Sequence, residues 1–388
     1  MSTPDPGSSS APPTPSTSPP AAPVSAGTST AVWIVAIIVV AAALGGVGFF
    51  AGYEYRGSPA SSSSTVNNTL SIFGAGTLQN LFEPMSGTFA SENPGISAPL
   101  AAQMYEGSLD ITSGITAGTI VTDVAALADY RLAPQLLYPK YADYEVVWGQ
   151  TTEALVWNPA SVTGFAGIND ANWASKLINT INNGSKPLGV WNASTDPNGY
   201  NEIFSMMLQG MLYDGGNISS VYSYFYSGAP GALAVPNGPS RAILGHESQA
   251  AADLSSGVMS AVITYESYAI LNNLTYLPLN PIVGLYANNT TALSDYSMLS
   301  TSVIGSSGAL VKVVPAPILF TTFVPLNAPN PSLGAAFINF LLSAQGKALV
   351  AKAFTPISPA WCDKISSAPS ILQPNLVPLP AWAQTILG

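Results

Sequence analysis

The stretch Leu70–Glu92, LSIFGAGTLQNLFEPMSGTFASE, sets the frame for the whole chain. LSIF reads as a short strand, GAGT as a tight turn, and LQNLFEPMSGTFASE as an amphipathic helix. A strand that runs through a glycine turn into a helix opens an α/β unit, and the same texture recurs downstream. VTDVAALA, YEVVWGQTTEALVW, MSAVITYE and PAPILFTTFVPL read as strands. NWASKLINTIN, YNEIFSMMLQGMLY, ESQAAADLSSG, LGAAFINFLLS and GKALVAKAF read as helices. Short strands alternating with helices predict an α/β fold with largely parallel sheets, and no internal repeat is visible.

Upstream of this region the texture differs. Residues 1–30 are rich in Pro, Ser, Thr and Ala and cannot bury a core, so they are expected to be disordered. Ala31–Tyr53, AVWIVAIIVVAAALGGVGFFAGY, carries no charge. At about 1.5 Å per residue it is long enough to cross a bilayer core. The rival reading is a cleaved signal peptide, but no basic region precedes the run. The expectation is an uncleaved anchor with the bulk of the chain outside the cell. Residues 54–69 then form a flexible Ser-rich linker. Seven Asn-x-Ser/Thr sequons, at Asn67, Asn183, Asn192, Asn217, Asn273, Asn288 and Asn289, fit an exported, glycosylated surface.

Composition narrows the function. A chain of 388 residues exceeds what one core usually organises, so two lobes are expected. Charged residues make up only 8% and the formal net charge is −10, which sets nucleic-acid binding aside. A surface of uncharged polar groups keeps its hydration when carboxylates protonate, which fits an acidic exterior. A single cysteine, Cys362, excludes an intrachain disulfide. His246 is the only histidine, so neither a Cys/His zinc site nor an ordinary Ser–His–Asp triad is supported.

Four places set small polar residues or a carboxylate at the start of an expected helix. They are Gly74–Leu78, Gly107-Ser108, Asp196–Tyr200 and His246–Ser248. Asp196 suits an N-cap and Pro197 the first helical position. Helix N-termini bind anions through free N–H groups and the positive dipole end, without Lys or Arg. Taken singly, each is better read as an ordinary cap or turn; several converging on one cleft would form an oxyanion site.

The chain resembles the archaeal molybdate/tungstate-binding protein family, receptors of ABC importers. The resemblance runs in order from about Leu70 to about Trp361. It is carried by GAGTLQNLFEPMSGTFASENPG, the GS of YEGSLDITSGI, TDVAALADYRLAPQLLYPKYADYEVVWGQTTEALVWNP, STDPNGY, ESQAAADLSSGVMSAVITYESYA and PAPILFTTFVPLNAPNPSLGAAFINFLLSAQGKAL. The ADY…P…PKYAD and DPxGY strings are the most diagnostic.

The resemblance implies a two-lobed, periplasmic-binding-protein type II α/β fold with mixed sheets, here preceded by one transmembrane helix. Lobe I would comprise residues 70–147 and 319–388 and lobe II residues 148–318. Crossover strands would lie near Tyr144–Trp157 and Pro315–Pro325. It further implies an oxyanion held by Thr77, Leu78, Ser108, Asp196, Pro197, Asn198, Glu247 and Tyr265. Asp196 and Glu247 would reach the Mo or W centre itself. The ligand would be tungstate or molybdate, with no cofactor, and the partners importer permease subunits and, through the N-terminal helix, the membrane; the protein would be a monomer. Tyr265 reads equally as a core aromatic. The family commonly carries Cys, Arg, Lys and Lys where this chain has Asn198, Asn201, His246 and Glu266. The rival readings are a receptor for sulfate, phosphate or an organic anion, a hydrolase using two carboxylates, and a structural surface glycoprotein.

Overall fold

The computed structural model describes residues 68–387 except 185, 243–246 and 306–307. The segment Ala31–Tyr53 lies outside them. Among the described residues no single helix is long and apolar enough to cross a membrane.

In chain order the strands are β1 (Ile72–Ala75), β2 (Gln103–Glu106), β3 (Val124–Leu127), β4 (Val146–Gln150), β5 (Glu153–Trp157), β6 (Leu188–Val190), β7 (Tyr226–Ser227) and β8 (Val235–Pro236). They continue with β9 (Ser240–Ala242), β10 (Ala261–Tyr265), β11 (Thr275–Pro278), β12 (Thr301–Ile304), β13 (Leu310–Val313), β14 (Leu319–Phe323), β15 (Thr355–Cys362) and β16 (Leu376–Pro378). One seven-stranded sheet has the order β16-β15-β4-β14-β3-β1-β2, and one five-stranded sheet the order β11-β5-β10-β6-β9. Strands β3, β4, β5, β10 and β14 are buried at every position. Burial on both faces is why these strands read as near-continuous runs rather than alternating patterns.

Both sheets are mixed, whereas composition and texture alone suggest largely parallel ones. β2, β1 and β3 run parallel, but β14 returns antiparallel to both β3 and β4. In the smaller sheet β10, β6 and β9 are parallel while β5 is antiparallel to β10 and β11. The segment YEVVWGQTTEALVW is two strands in two different sheets, broken at Thr151-Thr152. The chain therefore leaves the larger sheet there and comes back between β13 and β14. GAGT also divides differently from its sequence reading. Gly74 and Ala75 continue β1, and the turn is the 3-10 segment Gly76–Leu78. The Tyr105 ring lies 3.1 Å from where a Cβ on Gly74 would stand, so a side chain there would press on that ring.

The helices Gln79–Glu92 and Pro331–Leu341 cover one face of the larger sheet. Their core is aromatic: Phe82 packs on Trp148 and Phe337, and Trp148 on Phe320 and Phe354, with ring centroids 5.5–5.9 Å apart. In the smaller half the helix Pro197–Tyr213 is buried along its first fourteen residues. It runs through the interior, and its buried polar residues Asn198, Asn201, Glu202, Ser205 and Gln209 sit among apolar ones.

Asp123, fully buried before β3, ties three segments of the larger half. Its Oδ2 accepts from Ser71 N and Ser71 Oγ at 2.9 Å each, and its Oδ1 accepts from Asn330 N at 2.6 Å, at the head of the helix Pro331–Leu341. Removing the carboxylate orphans the half-buried N–H groups of Ser71 and Asn330, each worth about 1–3 kcal/mol. Asp123→Ala is expected to lower unfolding free energy by about 2–5 kcal/mol, read from urea denaturation with an unchanged m-value.

Candidate functional site

The expected ligand segments all fall at the carboxyl ends of strands. Gly76–Leu78 follows β1, and the helix Ser108–Ala117 follows β2. Asp196 lies beyond β6 at the head of the helix Pro197–Tyr213, and Tyr265 ends β10 before the helix Glu266–Leu271. The helix Glu247–Ser255 comes after β9. In open α/β sheets ligands bind in the crevice beyond those ends.

Here the two halves meet edge to edge across that crevice. Leu109 N donates to Thr195 O at 3.1 Å. The Thr195 carbonyl occupies the space a Cβ on Gly107 would need, so only glycine lets the two turns touch. The turn Gly76–Leu78 packs against both the helix Glu247–Ser255 and the helix Glu266–Leu271. At the rim Asn80 Nδ2 donates to Asn272 Oδ1 at 3.0 Å. Deeper in, Tyr200 Oη donates to Asp129 Oδ2 at 2.6 Å. The cleft is closed.

Thr77 is buried, and its hydroxyl has no partner among the described residues. Leu78 is fully buried, its side chain part of the core, and it caps the helix Gln79–Glu92. Ser108 is also fully buried; its Oγ accepts from Ala128 N at 3.0 Å, which leaves its proton available to an acceptor. Half-buried Asp196 is the N-cap of its helix, accepting from Asn198 N at 2.9 Å, with Pro197 at the first helical position. The Asn198 backbone amide is therefore engaged by Asp196. With its side-chain nitrogen turned toward Glu153, the Asn198 amide lies 3.1 and 3.2 Å from the two carboxylate oxygens of Glu153, and its oxygen accepts from Trp191 Nε1 and Thr264 Oγ1 at 2.9 Å. Tyr265 combines both of its sequence readings. Its ring packs edge-on against Phe320 at 5.6 Å in the core, while its hydroxyl accepts from Asn201 Nδ2 at 3.4 Å and feels the charge of Asp196. Glu247 opens its helix, and His246 lies outside the described residues.

Sequence reading missed a layer of buried charge beneath these groups. Glu153 and Glu202 are fully buried in the smaller half. Glu202 Oε1 accepts from Trp191 N at 3.2 Å and from Tyr226 Oη, and its Oε2 has no partner among the described residues. Burial pushes the Glu202 carboxyl well above its usual range, against the pull of those two donors. Burial, then Glu202 and Asp196, do the same to Glu153. Burial raises Asp196 to about 6, and the Asn198 N–H opposes the rise. In the larger half burial would raise Asp129, but the adjoining Arg131 guanidinium overrides it and holds the carboxyl below its ordinary value. Glu202 leaves a trace in the sequence: it is a lone carboxylate inside a helix otherwise rich in apolar residues. Glu153 leaves none.

The family described as "Bacterial extracellular solute-binding protein" matches residues 70–354. The chain belongs to that family. As a solute-binding protein it is not an enzyme. It is 26% identical over 313 residues to a molybdate/tungstate-binding protein of Thermococcus kodakarensis, covering 77% of this chain and 85% of the relative. To a protein so named in Pyrococcus abyssi it is 26% identical over 293 residues, covering 72% of this chain and 81% of the other. Its fold is that of the periplasmic molybdate-binding protein of Azotobacter vinelandii, with a TM-score of 0.51 at 12% identity, over 74% of this chain and 98% of the other. The expected periplasmic-binding-protein-like α/β architecture is thereby met.

Two outcomes follow for the solute-binding protein without ligand. Thr77→Val replaces a buried, unpartnered hydroxyl with a methyl group of similar shape. Its thermal midpoint should equal or exceed that of wild type, because no hydrogen bond is lost. The second concerns pH. Groups whose folded pKa is raised are favoured in the protonated form, so their contribution is present at low pH and lost as pH rises through the folded value. For Asp196 that window runs from the ordinary 3.8 up to about 6. Glu153 and Glu202 act in the same direction, and Asp129, held low, opposes them only below its ordinary 3.8. The urea midpoint should therefore be higher at about pH 4.5 than at about pH 7, and Glu202→Gln should shrink the difference.

Proposed function

We propose that the chain captures tungstate or molybdate between two lobes and hands it to the permease of an ABC importer. The observation that carries this reading is the pairing of Thr77, whose buried hydroxyl lacks a partner, with Ser108, whose hydroxyl proton is free to be donated, at strand ends that face a helix N-terminus. Hydroxyl and amide donors suit the oxo groups of a dianion. Two relatives named as molybdate/tungstate-binding proteins support the choice of ligand. In this reading the lobes are residues 70–147 with 319–388, and residues 148–318. Ala31–Tyr53 anchors the protein in the membrane and the globular part faces outward as a monomer. The sequon asparagines Asn183, Asn192, Asn217, Asn273, Asn288 and Asn289 are all exposed, which supports glycosylation there.

Asp196 and Glu247 add selectivity. A carboxylate can become an extra ligand of Mo or W, but it repels sulfate, whose sulfur does not accept one. The cap bond from Asn198 N to Asp196 Oδ1 favours a second reading, in which Asp196 only caps its helix and the site holds any tetrahedral dianion. Titration calorimetry with tungstate, molybdate and sulfate separates the two. The first reading expects Asp196→Ala and Glu247→Ala each to weaken tungstate binding by a factor of about ten or more, and to narrow the gap to sulfate. Wild-type affinity and selectivity in both variants would establish the second.

A further inference from the structure

Three buried groups join the two halves beside the cleft. Asp129 and Arg131 follow β3 of the larger sheet, and Tyr200 lies in the first turn of the helix Pro197–Tyr213 against the smaller one. All three are buried. Arg131 grips Asp129 in a fork: Nε lies 2.9 and 3.1 Å from the two carboxylate oxygens, and one terminal nitrogen 2.6 Å from Oδ2. The other terminal nitrogen donates to Val314 O at 2.7 Å, on the segment by which the chain returns from β13 to β14. Tyr200 Oη donates to Asp129 Oδ2 at 2.6 Å, and its ring lies 5.9 Å from the guanidinium carbon. The Tyr200 hydroxyl is the member of this set carried by the helix of the smaller half, whereas Arg131 reaches only the segment that connects the two sheets.

We propose that Tyr200, Asp129 and Arg131 form a latch that holds the cleft shut, with Tyr200 as a positioning residue that sets how fast a captured solute is released. Arg131 clamps both its own half and the return segment, so it fixes Asp129 as a rigid, charged acceptor. The hydroxyl of Tyr200 docks on that acceptor only when the lobes close. Asp196 stands four residues before Tyr200 on the same helix end, and Thr195 O bonds to Leu109 N next to Ser108. Docking therefore brings the two groups of ligand-facing segments to one fixed separation. Because Arg131 is consumed by Asp129 and Val314, its charge serves the closure and not the anion. The inference rests on the solute-capture reading, but its first test needs no ligand.

Tyr200→Phe removes one hydroxyl and keeps the ring beside Arg131. In the full-length, ligand-free protein, hydrogen exchange should quicken about tenfold at the Leu109 amide, which bridges the cleft, and stay unchanged at the amides of β3 and β4. One hydrogen bond to a charged acceptor is worth roughly that factor. With tungstate as the probe, stopped-flow measurement should find release about tenfold faster and association within about twofold of wild type. A merely structural role would instead quicken exchange in β3 and β4, or slow association. Arg131→Lys, which keeps the charge but loses the fork, should also quicken exchange at Leu109. If that variant fails to fold, Tyr200→Phe decides alone. Unchanged exchange at Leu109 in Tyr200→Phe overturns the latch whatever the ligand is. Quickened exchange in a protein whose wild type binds no tungstate upholds the latch and removes the oxyanion assignment.

Discussion

The two passages between the sheets run side by side, and Thr151 N reaches Ile318 O across them at 3.4 Å. Everything at the cleft depends on this short double bridge. Thr152 O accepts from Glu266 N at 2.8 Å, so the bridge fixes the helix that begins just after Tyr265. Thr152 Oγ1 and Glu153 N both donate to Gly284 O, and Ile318 N donates to Leu285 O. Two short extended segments of this kind are what hinge-type closure requires. The aromatic cluster of Trp148, Phe320 and Phe354 sits against the bridge on the larger side and keeps one end immobile.

The chain has a net charge of −10, and the arrangement of its buried ionisable groups bears on how the proposed site could hold an anion. Arg131 is fully matched by Asp129 and a carbonyl, so it adds order rather than potential. Burial raises the pKa of Glu153 and Glu202, which opposes their carrying negative charge beneath the site. In the proposed reading the hydroxyls of Thr77 and Ser108 face the solute beside the carboxylates, their dipoles fixed by the strand ends that carry them. Donors oriented by the fold cost no reorganisation when an anion arrives, and in a closed, poorly solvated crevice each is worth more than it would be in water.

Much of the fold is legible in the sequence because its strands and helices are buried on characteristic faces. The fully buried β3, β4, β5, β10 and β14 announce themselves as apolar runs, and the helices Trp173–Asn182 and Pro197–Tyr213 lie where their periodicity puts them. What escapes is pairing. The residues of YEVVWGQTTEALVW do not by themselves say that its two ends enter different sheets, because the break at Thr151-Thr152 is a β-compatible pair with no Pro or Gly; the crossover near Tyr144–Trp157 is implied only by the family resemblance. Helix-start positions such as Ser108 and Asp196 are readable from capping chemistry and from family resemblance. The bond between Asp129 and Tyr200, 71 residues apart, is not, although ADYR stands out as a string. Buried ionisable groups are the hardest to read, since a Glu in a strand or helix looks like any surface Glu until its neighbours are known.

The contact between Gly107 and Thr195 carries a consequence of a different kind. It is backbone against backbone, with the missing side chain of one residue accommodating the carbonyl of the other. The distance at which the two jaws stop is therefore written in main-chain atoms, which every substitution elsewhere leaves in place. Side chains around the crevice can change without moving the backbone contact that sets the aperture. Such a stop works as a calliper. It sets the size of what fits without specifying the chemistry of what is held, and it leaves that chemistry free to diverge among chains that share the same jaws.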